Sequence, residues 1–372
     1  METINSNIFY ISIIIIASLI AQVSQMISDP KDRNYSLLIL IVAYLILTMP
    51  VALRYYTGAD YSAYVQIYGN VKALGINDVS VNNIEIGYLL LNYICIKLFN
   101  DVQAVFIIMA LLTNYFFFKG IIYESKKISL GLAIFAYGFT IYFWDYIIIR
   151  NMLGIALIFY GLRFIFERKL VKYFLVVTVA VLFHTSLVIF YSFGILYMEK
   201  LKKYRIPLAV LSVLLIPIIP TVIKILGTNL SAIWLQFSNY NSFLSQIKFH
   251  IGKFVLAYAL PLIPFSIFYK KLNKLNSHNS LYLSFYIISI VVLSFAATMP
   301  ILTRYVYALW PSQIILFSSF LHIFDDISEV RKKFIVQSSV ITLIFIYGIV
   351  LIIYFINQAG YFLIPYQSIF GI

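Results

Sequence analysis

The sequence predicts an all-α protein, a polytopic transmembrane helical bundle of about ten to twelve membrane segments with re-entrant elements among them. Three observations predict it: the hydropathy of the whole chain, the length of its apolar runs, and the placement of its basic residues. Of 372 residues, 62% are hydrophobic and 11% charged, and the mean hydropathy is +0.94, a composition that excludes an ordinary soluble domain. Runs such as Ile8 to Ala21, Leu37 to Leu53, Leu281 to Ala297 and Ile335 to Ile356 approach the roughly 20 residues that a helix needs to cross a hydrocarbon core. They are apolar on every face, so helices rather than the alternating strands of a barrel satisfy their backbone groups.

The net charge of +13 does not point to nucleic acid, because of where the charge sits. Most of the Lys and Arg fall between apolar runs: Lys31 and Arg33; Lys119, Lys126 and Lys127; Arg163, Arg168, Lys169 and Lys172; Lys200, Lys202, Lys203 and Arg205; Lys270, Lys271 and Lys274; and Arg331, Lys332 and Lys333. Such clusters mark cytoplasmic loops and contact anionic lipid head groups. The first apolar run has no basic residue before it and no small-residue cleavage pattern after it, and is read as a retained first helix. Cys95 is the only cysteine, which rules out a disulfide within the chain and suggests packing. With no internal repeat, soluble insert or nucleotide-binding glycine loop, residues 1–372 are expected to form a single integral membrane domain.

Placing all six clusters on one side leaves two segments that should not cross. Glu85 to Asn100 is short and carries Glu85 and Asn92; Lys172 to Met198 begins and ends beside basic clusters, with His184 near its middle. Irregular backbone at membrane depth is tolerated where it is buried in protein or lines a watery cavity. Twelve plain crossings are the alternative, with two clusters misplaced. The ten-crossing arrangement puts both termini and Arg150 on the outer side.

Ionisable residues away from the basic clusters are site candidates, because they are costly at membrane depth. Arg54 ends the second run and is followed by Gly58, Asp60, Tyr61 and Tyr64; this is either an aromatic belt with one snorkelling arginine or part of a site. Glu85 opens a short segment, where it either complements a helix dipole or lies in a cavity. Arg150 follows Trp144, Asp145 and Tyr146, and Asp145 could neutralise it as a surface pair. His184 is a hydrogen-bonded core histidine or a cavity residue, and Arg304 an interfacial anchor or a ligand. Arginine's fork of donors suits phosphate oxygens, and a carboxylate or histidine nearby could deprotonate a hydroxyl. The large loop with Trp234, Phe237, Tyr240 and Phe243 is a sugar platform or an interfacial helix. No metal constellation is visible, and none of these residues requires a cofactor.

The ordered set resembles the EpsG family of Wzy-like exopolysaccharide and O-antigen polymerases. It comprises Arg54 with Gly58-x-Asp60-Tyr61, Glu85-x-Gly87-Tyr88, Arg150 opening a helix that ends in a basic loop, Phe183-His184, and Arg304-Tyr305, over roughly residues 45 to 310. The resemblance implies a membrane glycosyltransferase of the cytoplasmic (inner) membrane that serves capsule, exopolysaccharide or O-antigen synthesis. It would move a growing glycan from undecaprenyl pyrophosphate to another lipid-linked repeat unit on the outer face, alongside chain-length regulator and flippase proteins. It implies Asp60, Glu85 or His184 as the base, and Arg54, Tyr61, Arg150 and Arg304 as substrate ligands, Arg54 alternatively pairing with Asp60. A flippase, an O-antigen ligase or a membrane acyltransferase would use similar residues, although a transporter should show related halves and midplane charges.

Overall fold

The apolar runs fold as helices because, in lipid, only a backbone satisfied within its own segment is tolerated. The computed structural model describes residues 2–27, 33–76, 84–196, 252–296 and 302–371; the aromatic loop around Trp234, the cluster from Lys200 to Arg205, and His250 lie outside them. The helices are α1 (Glu2–Met26), α2 (Arg33–Ala52), α3 (Tyr61–Leu74), α4 (Ile86–Leu98), α5 (Val102–Glu124), α6 (Leu130–Thr140), α7 (Ile149–Phe166), α8 (Leu170–Phe183) and α9 (Phe190–Leu196). They continue with α10 (Lys253–Ala259), α11 (Leu262–Ile267), α12 (Tyr269–Leu275), α13 (Asn279–Ala296), α14 (Thr303–Leu309), α15 (Pro311–Phe320) and α16 (Val330–Ile356). Among the described residues seven spans are long and apolar enough to cross a membrane, and α10 to α12, bent by 75°, make an eighth if taken as one. There is no strand among them, only an isolated antiparallel bridge between Arg54 and Ser368.

Two ends of the bundle can be told apart by their contacts. At the basic end, Gln25 donates to the carbonyls of Ser125 (2.9 Å) and Ile128 (2.8 Å), joining the foot of α1 to the loop between α5 and α6. Glu124, 2% exposed, accepts hydrogen bonds there from Asn276 (2.8 Å) and Tyr282 (3.1 Å) and pairs with His278 Nδ1 at 2.8 Å. The His278 ring stacks on Phe166 at 3.7 Å, so one carboxylate clamps α5, α7 and the turn before α13. Glu124→Ala leaves these donors without their acceptor and is expected to cost about 1–3 kcal/mol. The check is a lower thermal unfolding temperature in detergent, with Glu124→Gln losing less.

At the opposite end, Tyr10 donates to the Leu363 carbonyl (2.9 Å) and Tyr142 to that of Leu47 (2.8 Å). The segment after α16 lies across this end: Tyr55 N–H donates to Gln367 O (2.8 Å), Gly58 N–H to Phe362 O (2.9 Å) and Ile369 N–H to Leu53 O (2.9 Å). Gly58 has φ +104°, and a Cβ there would meet the Tyr146 carbonyl oxygen at 1.9 Å. Only glycine fits. Gly58→Ala is expected to destabilise by at least about 2 kcal/mol, read as a fall in unfolding temperature.

Of the two segments expected not to cross, the first is one short helix and the second is folded back on itself. α4 starts beside the head of α7, through Glu85 and Arg150, and runs straight into Asp101, whose side chain caps α5. Its two ends therefore lie at the same end of the bundle. α8 climbs antiparallel to α7 as far as His184, where a 3-10 turn (Thr185–Ile189) reverses the chain. α9 then descends beside α8, with Tyr173 OH donating to Phe190 O at 2.9 Å. α4 and this hairpin touch at Gly87, where an added Cβ would meet the Leu182 carbonyl oxygen at 2.6 Å.

Candidate functional site

Glu85, Arg150 and His184 come from three separate elements and meet where α4, the head of α7 and the tip of the α8–α9 hairpin converge. Their local sequences explain why. Glu85 is the extended residue that precedes α4 and makes no side-chain cap bond to that helix, which leaves its carboxylate for partners elsewhere. Arg150 sits in the first turn of α7, just after the short 3-10 helix Tyr142–Tyr146. His184 ends α8 in extended conformation, φ −155° and ψ 113°, and so projects from a break rather than from a helix face.

The carboxylate is the hub. Glu85 Oε2 forms an ion pair with Arg150, and its Oε1 accepts from the Thr185 backbone N–H at 3.3 Å and lies 3.7 Å from His184 Nδ1. All three side chains are largely enclosed: Glu85 is 10% exposed, His184 8% and Arg150 22%. In such surroundings an unpaired charge would be expensive, so Glu85 and Arg150 hold each other in place. Tyr88 lies under the guanidinium, 5.7 Å from ring centroid to Cζ, and Tyr64 faces it from α3.

Asp60 and Arg304 complete the rim. Asp60 precedes α3 but makes no side-chain cap bond to it, so its carboxylate is not spent on the helix. Arg150 and Arg304 both act on it electrostatically. Burial pushes its carboxyl above the ordinary aspartate value, and the two arginines oppose that shift. Arg304 is exposed on α14, which packs against both the 185–189 turn and α7, and it also acts electrostatically on His184.

Arg54 and Tyr61 stand apart from this group. Arg54 is fully buried, with its guanidinium 4.8 Å from the Phe106 ring centroid and 5.7 Å from that of Tyr146. It donates to the Val51 carbonyl at 2.8 Å, and Nε and one terminal nitrogen find no hydrogen-bond partner. Its electrostatic counter-charge is Asp145 rather than Asp60. Asp145 in turn is buried, accepts from Asn114 at 3.1 Å, and is not the surface partner of Arg150 that its place in the sequence suggested. The 3-10 helix explains the exchange: it turns Asp145 into the bundle while Arg150, five residues on, faces α4. Tyr61 is 3% exposed and stacks on Phe106 at 4.6 Å, whereas Tyr55 and Tyr56 are the exposed rings of this motif. Tyr61 therefore links Asp60 to the Arg54 cluster.

Residues missed by sequence reasoning are Tyr64, Tyr88 and Thr185 as neighbours of the charges. Tyr64 lies four residues after Asp60, one helical turn, which is the signal that could have found it. Cys95 is buried in the core. Among the described residues no group of three or more His, Cys, Asp or Glu could hold a metal ion; His278 and His322 instead pair with Glu124 and Asp325.

The fold and these charges define a multi-pass membrane protein with arginines and carboxylates gathered at one end of an apolar helical bundle. The EpsG family model matches residues 36–368, nearly the whole chain, and the chain belongs to that family, whose members are Wzy-like polysaccharide polymerases. Comparisons with curated proteins and with solved structures return no match.

Proposed function

We propose that the protein polymerises lipid-linked oligosaccharide repeat units at the end of the bundle that carries Arg150, on the outer face of the cytoplasmic membrane. The observation that supports this best is the grouping of Asp60, Glu85, Arg150, His184 and Arg304 at the end opposite the described basic loop that holds Lys126 and Lys127, a kind of loop that the positive-inside rule assigns to the cytoplasm. Lipid-linked substrates reach that end from within the membrane.

The substrate is a glycan on undecaprenyl diphosphate, which carries its own leaving group. An acceptor sugar hydroxyl attacks the anomeric carbon, the bond from that carbon to the diphosphate oxygen breaks, and the electron pair departs on the diphosphate. The hydroxyl proton passes to Asp60. Arg150 and Arg304 stabilise the charge that grows on the leaving diphosphate, and their fixed donors orient it. Glu85 keeps Arg150 aimed, and Arg54 supports the floor of the site from below through Phe106 and Tyr61. Holding two membrane-anchored substrates in line supplies much of the remaining acceleration.

The test is Arg304→Ala in the native host, read as glycan chain length. Loss of long chains with lipid-linked single units accumulating outside supports polymerisation. Long chains at normal protein level contradict it, and units trapped on the cytoplasmic side point to a transporter instead.

A further inference from the structure

His184 has one ring nitrogen already committed. Its Nδ1 accepts from the Ser186 backbone N–H at 3.3 Å, with the Ser186 hydroxyl at 3.0 Å. A backbone N–H has no lone pair, so the ring atom that it addresses is the acceptor and carries no proton. In neutral imidazole the proton then resides on Nε2. Among the described residues the carboxylate oxygen that pairs with Nδ1, Glu85 Oε1, is 3.7 Å away, beyond hydrogen-bond range, and is already met by the Thr185 N–H at 3.3 Å. Glu85 has its cation in Arg150 and does not need one from the imidazole. The ring's remaining polar group is therefore the Nε2–H donor, in a side chain that is 8% exposed and within electrostatic reach of Arg150 and Arg304. The anion that those arginines attract is the group this donor would serve.

We propose that His184 is a hydrogen-bond donor to the leaving diphosphate, held in the Nε2–H tautomer by the Ser186 turn, and not the base of the reaction. The assignment rests on the polymerase reading above. It leaves the acceptor proton to Asp60 and makes Ser186 a positioning residue. The turn Thr185–Ile189 thus does two jobs: its first N–H holds Glu85, and its second fixes the histidine.

Two measurements test it. In the first, the wild-type protein carrying 15N-histidine is examined in nanodiscs near neutral pH, and His184, one of four histidines, is assigned by its loss in His184→Gln. An unprotonated Nδ1 with a protonated Nε2 is expected; a proton on Nδ1 overturns the proposal and does not depend on any variant's activity. In the second, binding of undecaprenyl diphosphate is compared for His184→Gln, His184→Asn and His184→Ala. The Gln amide N–H can stand where Nε2–H stood, whereas the shorter Asn cannot reach. Loss of a donor to a charged oxygen predicts binding about tenfold or more weaker for Asn and Ala, with Gln close to wild type and still able to make long glycans. If all three bind like wild type and Gln polymerises as poorly as Ala, the histidine is the base and the proposal falls. If the wild type binds undecaprenyl diphosphate no better than undecaprenol, the polymerase reading itself fails and takes the donor assignment with it.

Discussion

Arg150→Ala is expected to lower the polymerisation rate by about 10²- to 10³-fold, the loss that follows removal of one preorganised donor from developing negative charge. In the native host, long glycan chains give way to single lipid-linked units. The change also strands Glu85, which is 10% exposed and pairs directly with Arg150. Removing one partner of an enclosed pair costs about 3–5 kcal/mol, so the single variant is expected to unfold earlier in detergent. The double variant Glu85→Gln, Arg150→Ala separates the two effects. It removes both charges at once and should recover most of the lost stability, while polymerisation stays lost. If the double variant also recovers chain length, Arg150 serves only to neutralise Glu85.

Asp60→Asn is the second large effect, expected to lower the rate by about 10²- to 10⁴-fold, the usual contribution of a positioned base. Its structural cost should be small, because the Asp60 side chain does not cap α3. The pH dependence carries the sign. Burial raises the Asp60 carboxyl above its ordinary value despite the opposing arginines, and a base acts only when deprotonated. The rate therefore falls as pH drops through that raised value, placing the acid limb of the profile above the ordinary aspartate range. In Asp60→Asn the limb disappears along with the activity. A wild-type rate that is flat across this range would remove Asp60 from the role.

What the sequence made legible follows from what lipid demands. Apolar runs long enough to cross, separated by basic clusters, are strong one-dimensional signals, so the helical class could be read directly. The break at His184 was legible for the same reason: a polar residue in the middle of a segment flanked by basic clusters is inconsistent with a plain crossing. The pairings were not. Glu85 and Arg150 are 65 residues apart, and nothing local says that Arg150 faces α4 while Asp145 faces Asn114. That choice is made by the short 3-10 helix Tyr142–Tyr146, whose turn rotates neighbouring charges into different surroundings. Arg54 shows the same limit. Its position at a helix end suggested a rim residue, but the segment after α16 pairs with the backbone on either side of it and closes it off. No hydropathy pattern announces such a cover.

Tyr61 adds a related point. A row of tyrosines after a membrane helix reads as an exposed belt, yet Tyr61, Tyr64 and Tyr68 are buried and only Tyr55 and Tyr56 face outward. The helical spacing of 61, 64 and 68 puts those three on one face of α3, and that face lies on the bundle. The periodicity was present in the sequence; what it packed against was not.

The most direct measurement of the central claim uses the purified protein in nanodiscs with lipid-diphosphate-linked repeat units extracted from a native-host strain that lacks this protein. With no nucleotide sugar added, wild type should convert single units into longer lipid-linked chains and release undecaprenyl diphosphate in step with each bond formed, while Asp60→Asn should leave the units single. Failure of the wild type to lengthen them, or undiminished lengthening by Asp60→Asn, would contradict the account.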